Sequence, residues 1–234
     1  MSAYPHLFSP LTIGTVTVRN RIMQTAHVKL WARDGVDSDR NVAYQAARAQ
    51  GGAGLLITGN RVVHPTSTTG FPRVAWAYRP EALAADRRLT AAVHEHGGVI
   101  FAQLNHFGLN ASSDSADDYR VLWGPSAVKS PAYGETPKAM ELEDIREVVD
   151  WWGRSAELTR EGGFDGTEVT RLAQLSVAPV PVAALQQARG RVRRLVREPA
   201  PLCTRGDRGG AHPGGSGLGG RRAHQPERFR PGRA

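Results

Sequence analysis

The sequence predicts an α/β fold built on parallel strands, and three observations predict it. Short apolar runs at Leu55–Gly59 (LLITG) and Val99–Leu104 (VIFAQL) are the type buried on both faces of a parallel sheet. Stretches of helical period lie between the runs. Glycine pairs close these stretches, at Gly51-Gly52, Gly97-Gly98 and Gly162-Gly163. Such alternation implies right-handed crossovers between parallel strands. It leaves two architectures open, a TIM barrel and a doubly wound sheet.

Leu7 to Val18 is a short β-rich stretch centred on Gly14 and predicts a small hairpin. Asn20 to Ala26 (NRIMQTA) follows as a strand. Asp37 to Gln50 has helix chemistry, with Ser38 as N-cap, Asp39 in the first turn, and Val42, Ala43, Ala46 and Ala49 at helical spacing. Pro80 to His96 repeats that logic, with Leu83, Leu89, Ala92, Val93 and His96 on one face. A long polar loop runs from Asn105 to about Ala139, and loops of that length in a compact domain usually carry function. Glu141 to Arg160 is the clearest helix. Glu141, Glu143 and Asp144 load its positive end, and Ile145, Val148, Val149, Trp152 and Ala156 form its stripe. Gly166 to Val169 begins another strand.

The net charge of +8 would suggest a polyanion partner if it were spread along the chain. It is not. Residues 170–234 hold 13 Arg, no Lys and 3 acids, a net of +10. The first 169 residues hold 17 Lys and Arg against 19 acids, a net of −2. The body therefore reads as an ordinary globular domain with no specific nucleic-acid partner. The single cysteine, Cys203, excludes an intrachain disulfide and a cysteine-based metal cage. His94 and His96 stand two apart on a helix and face different ways, so no metal pair is expected there. With no signal-peptide or membrane-spanning run, the expectation is a cytoplasmic protein without a membrane partner.

In a barrel the chemistry sits at the C-terminal ends of the strands. Those positions are Thr25, Ala26 and His27; Thr58, Gly59 and Asn60; Gln103, Asn105 and His106; then Val169 and Thr170. Small residues at the first two ends let a flat ligand approach backbone. The Gln103 amide suits an imide-like heterocycle edge. His106 could bind, donate a proton or cap its loop.

The ordered set LFSPLTIGTVTVRNRI, GGAGLLITG, FAQLNHFG, GPSAV and EDIREVV…EGGFDGTEV resembles the N-terminal half of the old yellow enzyme family of FMN-dependent oxidoreductases. NRIMQTAH is most similar to the trimethylamine dehydrogenase and dienoyl-CoA reductase branch. The resemblance covers roughly residues 6–169. It implies a partial TIM (β/α)8 barrel, about strands one to four with an N-terminal hairpin, and FMN at its mouth. It also implies that Thr25 and Ala26 lie against the flavin, Gly59 beneath it and Gln103 at its pyrimidine edge. His106 matches a histidine near the substrate side, which makes it the catalytic candidate. Val28 stands where trimethylamine dehydrogenases carry a flavin-attaching cysteine, so the FMN would be non-covalent. The implied reaction passes hydride from NAD(P)H through the flavin to a small-molecule substrate, or oxidises such a substrate. The cofactor supplies the chemistry and the protein supplies orientation.

After GFDGTEV the family pattern expects a histidine, and the chain has Thr170. From there no period of 2 or 3.6 lasts, and Arg, Gly, Pro and Ala dominate, a composition that predicts a disordered tail over 170–234. One extra nucleotide near Val169 explains the change. Each shifted codon takes two bases from one residue and one from the next. From Thr170 to Gln187 the shifted frame can read HGSHSYLLHQFLSPLYN. From Val192 to His212 it can read YGGSFENRLRFAREVIAAVR, and from Gly217 to Pro226 DWVVGARIS. By the resemblance these are the strand-four catalytic segment, a signature loop with its helix, and strand five with the flavin arginine. No fixed base conflicts across these runs. The expectation is an out-of-frame tail and a product without activity. The G-x-G-x-x-G at Gly215, Gly217 and Gly220 then carries nothing, since no strand precedes it and no helix follows.

Overall fold

The computed structural model describes residues 4–68, 73–113, 120–130 and 132–170. The expected disordered tail lies outside the described residues, except for Thr170.

Strands β1 (Leu11–Ile13) and β2 (Val16–Val18) form the expected antiparallel hairpin. The main sheet contains β3 (Met23–Gln24), β4 (Leu55–Val62), β6 (Val99–Asn105) and β9 (Gly166–Val169), all parallel and in that order. β5 (Ala75–Trp76) adds to the end of β4. β7 (Trp123–Gly124) and β8 (Lys138–Ala139) pair with each other inside the long loop. Helices α1 (Asp39–Gln50), α2 (Leu83–His94) and α3 (Leu142–Glu161) connect the main strands.

The strictly sequential strand order separates the two architectures that the pattern leaves open. A doubly wound sheet reverses its order at a switch point and places helices on both faces. Here one buried cluster joins Ala49 of α1 and Leu89 and Val93 of α2 to Leu56 of β4 and Ile100, Ala102 and Leu104 of β6, with Trp152 and Ala156 of α3 packed against it. All three helices therefore cover a single face. That is one half of a (β/α)8 barrel, in which this face is the outer one. The inner face carries Leu55, Ile57, Val99 and Phe101, and Val18 and Leu11 of the hairpin pack against it. Among the described residues, β3 and β9 each pair along one edge only. Met23 is 49% exposed and Val169 63%, apolar side chains with no cover at the two ends of the sheet.

The VRNRI stretch fixes the bottom of the sheet. Arg19 donates to His96 O (2.6 Å), Ala49 O (2.6 Å) and Ala53 O (3.1 Å), so one guanidinium satisfies carbonyls behind both α1 and α2. A cation is favoured there by the negative end of each helix dipole. Asn20 donates to Gly52 O and accepts from Ile22 N–H, closing the turn before β4. After α3, Gly163 (φ 87) takes the left-handed conformation, and a Cβ there would lie 2.7 Å from Thr90 Oγ1.

Several element details differ from expectation. β3 is confined to two residues, and β4 continues past Gly59 to Val62, with an irregularity between Ile57 and Asn60. α1 buries Asn41, Gln45 and Ala49, whereas Ala43 is exposed. Asn41 turns inward to donate to Asp37, which pairs with the buried Arg61 of β4. α3 buries Val148, Ser155 and Thr159, while Val149 is 60% exposed.

Candidate functional site

At the C-terminal ends of the strands the register sets three polar side chains side by side. Asn60 of β4 is opposite Gln103 of β6, and Gln103 is opposite Glu168 of β9. Cross-strand partners share a face. Gln103 is two residues beyond Phe101, so the trio belongs to the inner face. Gln103 Nε2 donates to Glu168 Oε1, and its backbone N–H donates to Thr58 Oγ1 at 3.2 Å. Asn60 Oδ1 is buried and has no hydrogen-bond partner. A buried amide oxygen without a donor is costly, and such atoms mark places where a ligand or water completes the structure.

A cavity of about 30 Å³ adjoins Asn60, lined also by His27, Val28, Thr58 and Gly59. It holds a water-sized group and not a ring, since one water needs roughly 10–15 Å³ of such volume.

Behind this row sits Arg61. It donates to Asp37 Oδ2 at 2.8 Å and makes a short contact to Asp86 Oδ1, with its guanidinium over the Phe164 ring. Asp37 also accepts from Asn41 Nδ2 at 2.8 Å. The triad ties the starts of α1 and α2 to the strand that presents Asn60.

The sequence-expected site residues separate under this geometry. Gln103 lies on the inner face. Thr25 is exposed, and Ala26 is half-buried against Val18, Leu55 and Ile57. Gly59 is explained differently. A Cβ there would lie 2.7 Å from Val28 Cα and 2.8 Å from His27 O, so the glycine admits the neighbouring backbone segment.

His106 is 1% exposed. Its ring centroid is 6.1 Å from that of His64, which in turn stacks on Trp123 and meets Trp151 of α3 edge-on. Its Nδ1 accepts from Gly108 N–H at 3.2 Å, which is the loop-capping role. Burial, with a smaller contribution from His64, lowers its pKa to about 3, so the imidazole is neutral. Burial likewise holds His64 below the usual histidine value, although Glu147 opposes the shift. Among the described residues, no group of three or more His, Cys, Asp or Glu is placed to hold a metal ion. No helix among them is long and apolar enough to cross a membrane.

The loops above the strands bind each other. Phe107 N–H donates to Ser67 Oγ (2.6 Å), and Thr68 and Ser112 exchange two hydrogen bonds. Glu135 accepts from the Ser112 hydroxyl and Ser113 N–H.

Sequence reasoning missed Glu168 and left Asn60 as one strand-end position among many. A period-2 count puts Gln103 on the face of Phe101 and Glu168 on the face of Gly166, but only the register joins them.

Comparison with known proteins bears on this arrangement. The sequence profile described as the NADH:flavin oxidoreductase / NADH oxidase family matches residues 6–173. The N,N-dimethylglycine/sarcosine dehydrogenase of Chromohalobacter salexigens is 36% identical over 179 residues, covering 74% of this chain and 25% of that protein. The NADH oxidase of Thermoanaerobacter brockii is 32% identical over 174 residues, 72% of this chain and 26% of that protein. The solved structure of morphinone reductase in complex with tetrahydroNAD superposes with a TM-score of 0.66 at 26% identity, covering 70% of this chain and 49% of that one. The matched part thus spans about a quarter of the length of these two curated relatives and about half of the morphinone reductase chain.

Proposed function

Because the chain belongs to the NADH:flavin oxidoreductase / NADH oxidase family, we propose that it descends from an FMN-dependent oxidoreductase and carries the flavin-facing half of that enzyme's site. The single observation that carries this is the polar row Asn60–Gln103–Glu168 on the inner face at the strand ends. Its chemistry suits the flavin pyrimidine edge, which presents an imide N–H between two carbonyls. Gln103 supplies an acceptor for that N–H and a donor for one of the carbonyls. Thr25 and Ala26, which follow β3, flank the row, and Gly59 acts indirectly by seating the His27–Val28 backbone. When bound, FMN supplies hydride transfer between NAD(P)H and a small organic substrate, with no covalent link to the chain. His106 takes no proton-transfer role here; it caps its loop beneath the barrel wall.

We further propose that residues 170–234 are read out of frame and that this form has no hydride-transfer activity. The observation favouring this is the break in composition at Thr170, close to where the family match stops at residue 173. Removing one nucleotide near codon 170 tests both proposals. The corrected chain is expected to oxidise NAD(P)H with an activated alkene or a quinone as acceptor, and the 234-residue chain is not. Equal activity in the two would contradict the frame proposal, and none in either would contradict the enzyme proposal.

A further inference from the structure

Glu168 has no role in the proposal above beyond membership of the row. It lies one strand over from Gln103 and in register with it, and its Oε1 accepts from Gln103 Nε2. A glutamine amide can otherwise exchange its donor and acceptor ends by flipping about its last torsion. A carboxylate offers acceptors only, so it holds the NH2 end and repels the carbonyl end. The trigonal amide carbon then turns Oε1 away from β9 and leaves one N–H uncommitted. The Gln103 backbone N–H is meanwhile held by Thr58 Oγ1, so the residue is anchored to both neighbouring strands.

We infer that Glu168 is a positioning residue that holds the Gln103 amide in one orientation, with its carbonyl oxygen presented to a ring N–H and its second N–H to the adjoining ring carbonyl. The identity of the ring rests on the flavin proposal; the orientation of the amide does not. The carboxylate also adds specificity. It favours a neutral ring edge bearing N–H and disfavours one deprotonated or alkylated at that nitrogen.

The test uses the 234-residue chain, observed by heteronuclear NMR, with Glu168→Ala and Glu168→Gln variants. A Gln103→Ala variant assigns the Gln103 side-chain signals. In the wild type one Gln103 side-chain N–H is expected downfield and protected from exchange. Glu168→Ala abolishes both properties. Glu168→Gln, whose amide can pair with either end of Gln103, restores them only in part. FMN at millimolar concentration shifts these signals, and FMN methylated at ring N3 binds about tenfold more weakly, the worth of one hydrogen bond. In Glu168→Ala that gap shrinks to about twofold, because the freed amide offers either end. Gln103 signals indifferent to Glu168→Ala, or an unchanged gap in that variant, would overturn the inference. If FMN moves no Gln103 signal while Glu168→Ala still frees the amide, the flavin proposal fails and the positioning role stands.

Discussion

His106 and Arg61 show how burial decides what an ionisable residue does. His106 titrates near pH 3 in the fold and near 6.5 when unfolded. Between those values the unfolded state binds the extra proton, so stability falls as pH drops through that window. The slope from this residue approaches 1.4 kcal/mol per pH unit. His64 contributes in the same direction, facing Glu147 and the Arg120 charge. His106→Asn is expected to remove about one proton from the acid-side slope, read from urea midpoints across pH 4–7. An unchanged slope would show that His106 is not buried neutral. Arg61 is buried as a cation between two carboxylates. Arg61→Ala leaves both carboxylates without their partner and is expected to cost about 3–5 kcal/mol. A loss below about 1 kcal/mol, the range of exposed pairs, would place the triad in solvent.

At the scale of elements, the glycine pairs end helices and set the next strand on course. Gly163→Ala puts a Cβ against Thr90 Oγ1 at a left-handed φ, with an expected loss of about 1–3 kcal/mol by denaturant unfolding. Substitution at Gly153, where a Cβ meets nothing within 4 Å, serves as the control. Gly153→Ala is expected to be neutral or to stabilise α3 by up to about 1 kcal/mol. The alternation of strand and helix is legible in the sequence because apolar runs and glycine pairs are local signals. The buried face of α1 is not. Its Asn41 looks like a surface residue until its partner Asp37 is known to pair with the buried Arg61 of the next strand. Glu168 is hidden for a similar reason: its meaning depends on the β6–β9 register, which no local period reveals. His106 lies just past a strand end, and no local signal in the sequence says that it is buried beside His64.

At the scale of the whole molecule, sequential parallel strands with helices on one face make a half-barrel with two unpaired edges among the described residues. Exposed Met23 and Val169 mark those edges, and unpaired parallel strands invite association. The chain with residues 170–234 as they stand is therefore expected to self-associate. Sedimentation should show concentration-dependent species for it and a discrete species for the frame-corrected chain. Monodisperse behaviour of the uncorrected chain at all concentrations would count against open edges. The central claim is that the inner face of this half-barrel is the flavin side of an oxidoreductase site whose continuation is lost at Thr170. The most direct test is the flavin content of the two purified proteins, read from their visible absorption and from flavin released on denaturation. The account predicts one FMN per frame-corrected chain, sharply reduced by Gln103→Ala, and none retained by the uncorrected chain. A corrected chain that folds without flavin, or an uncorrected chain that purifies yellow with reducible flavin, would contradict it.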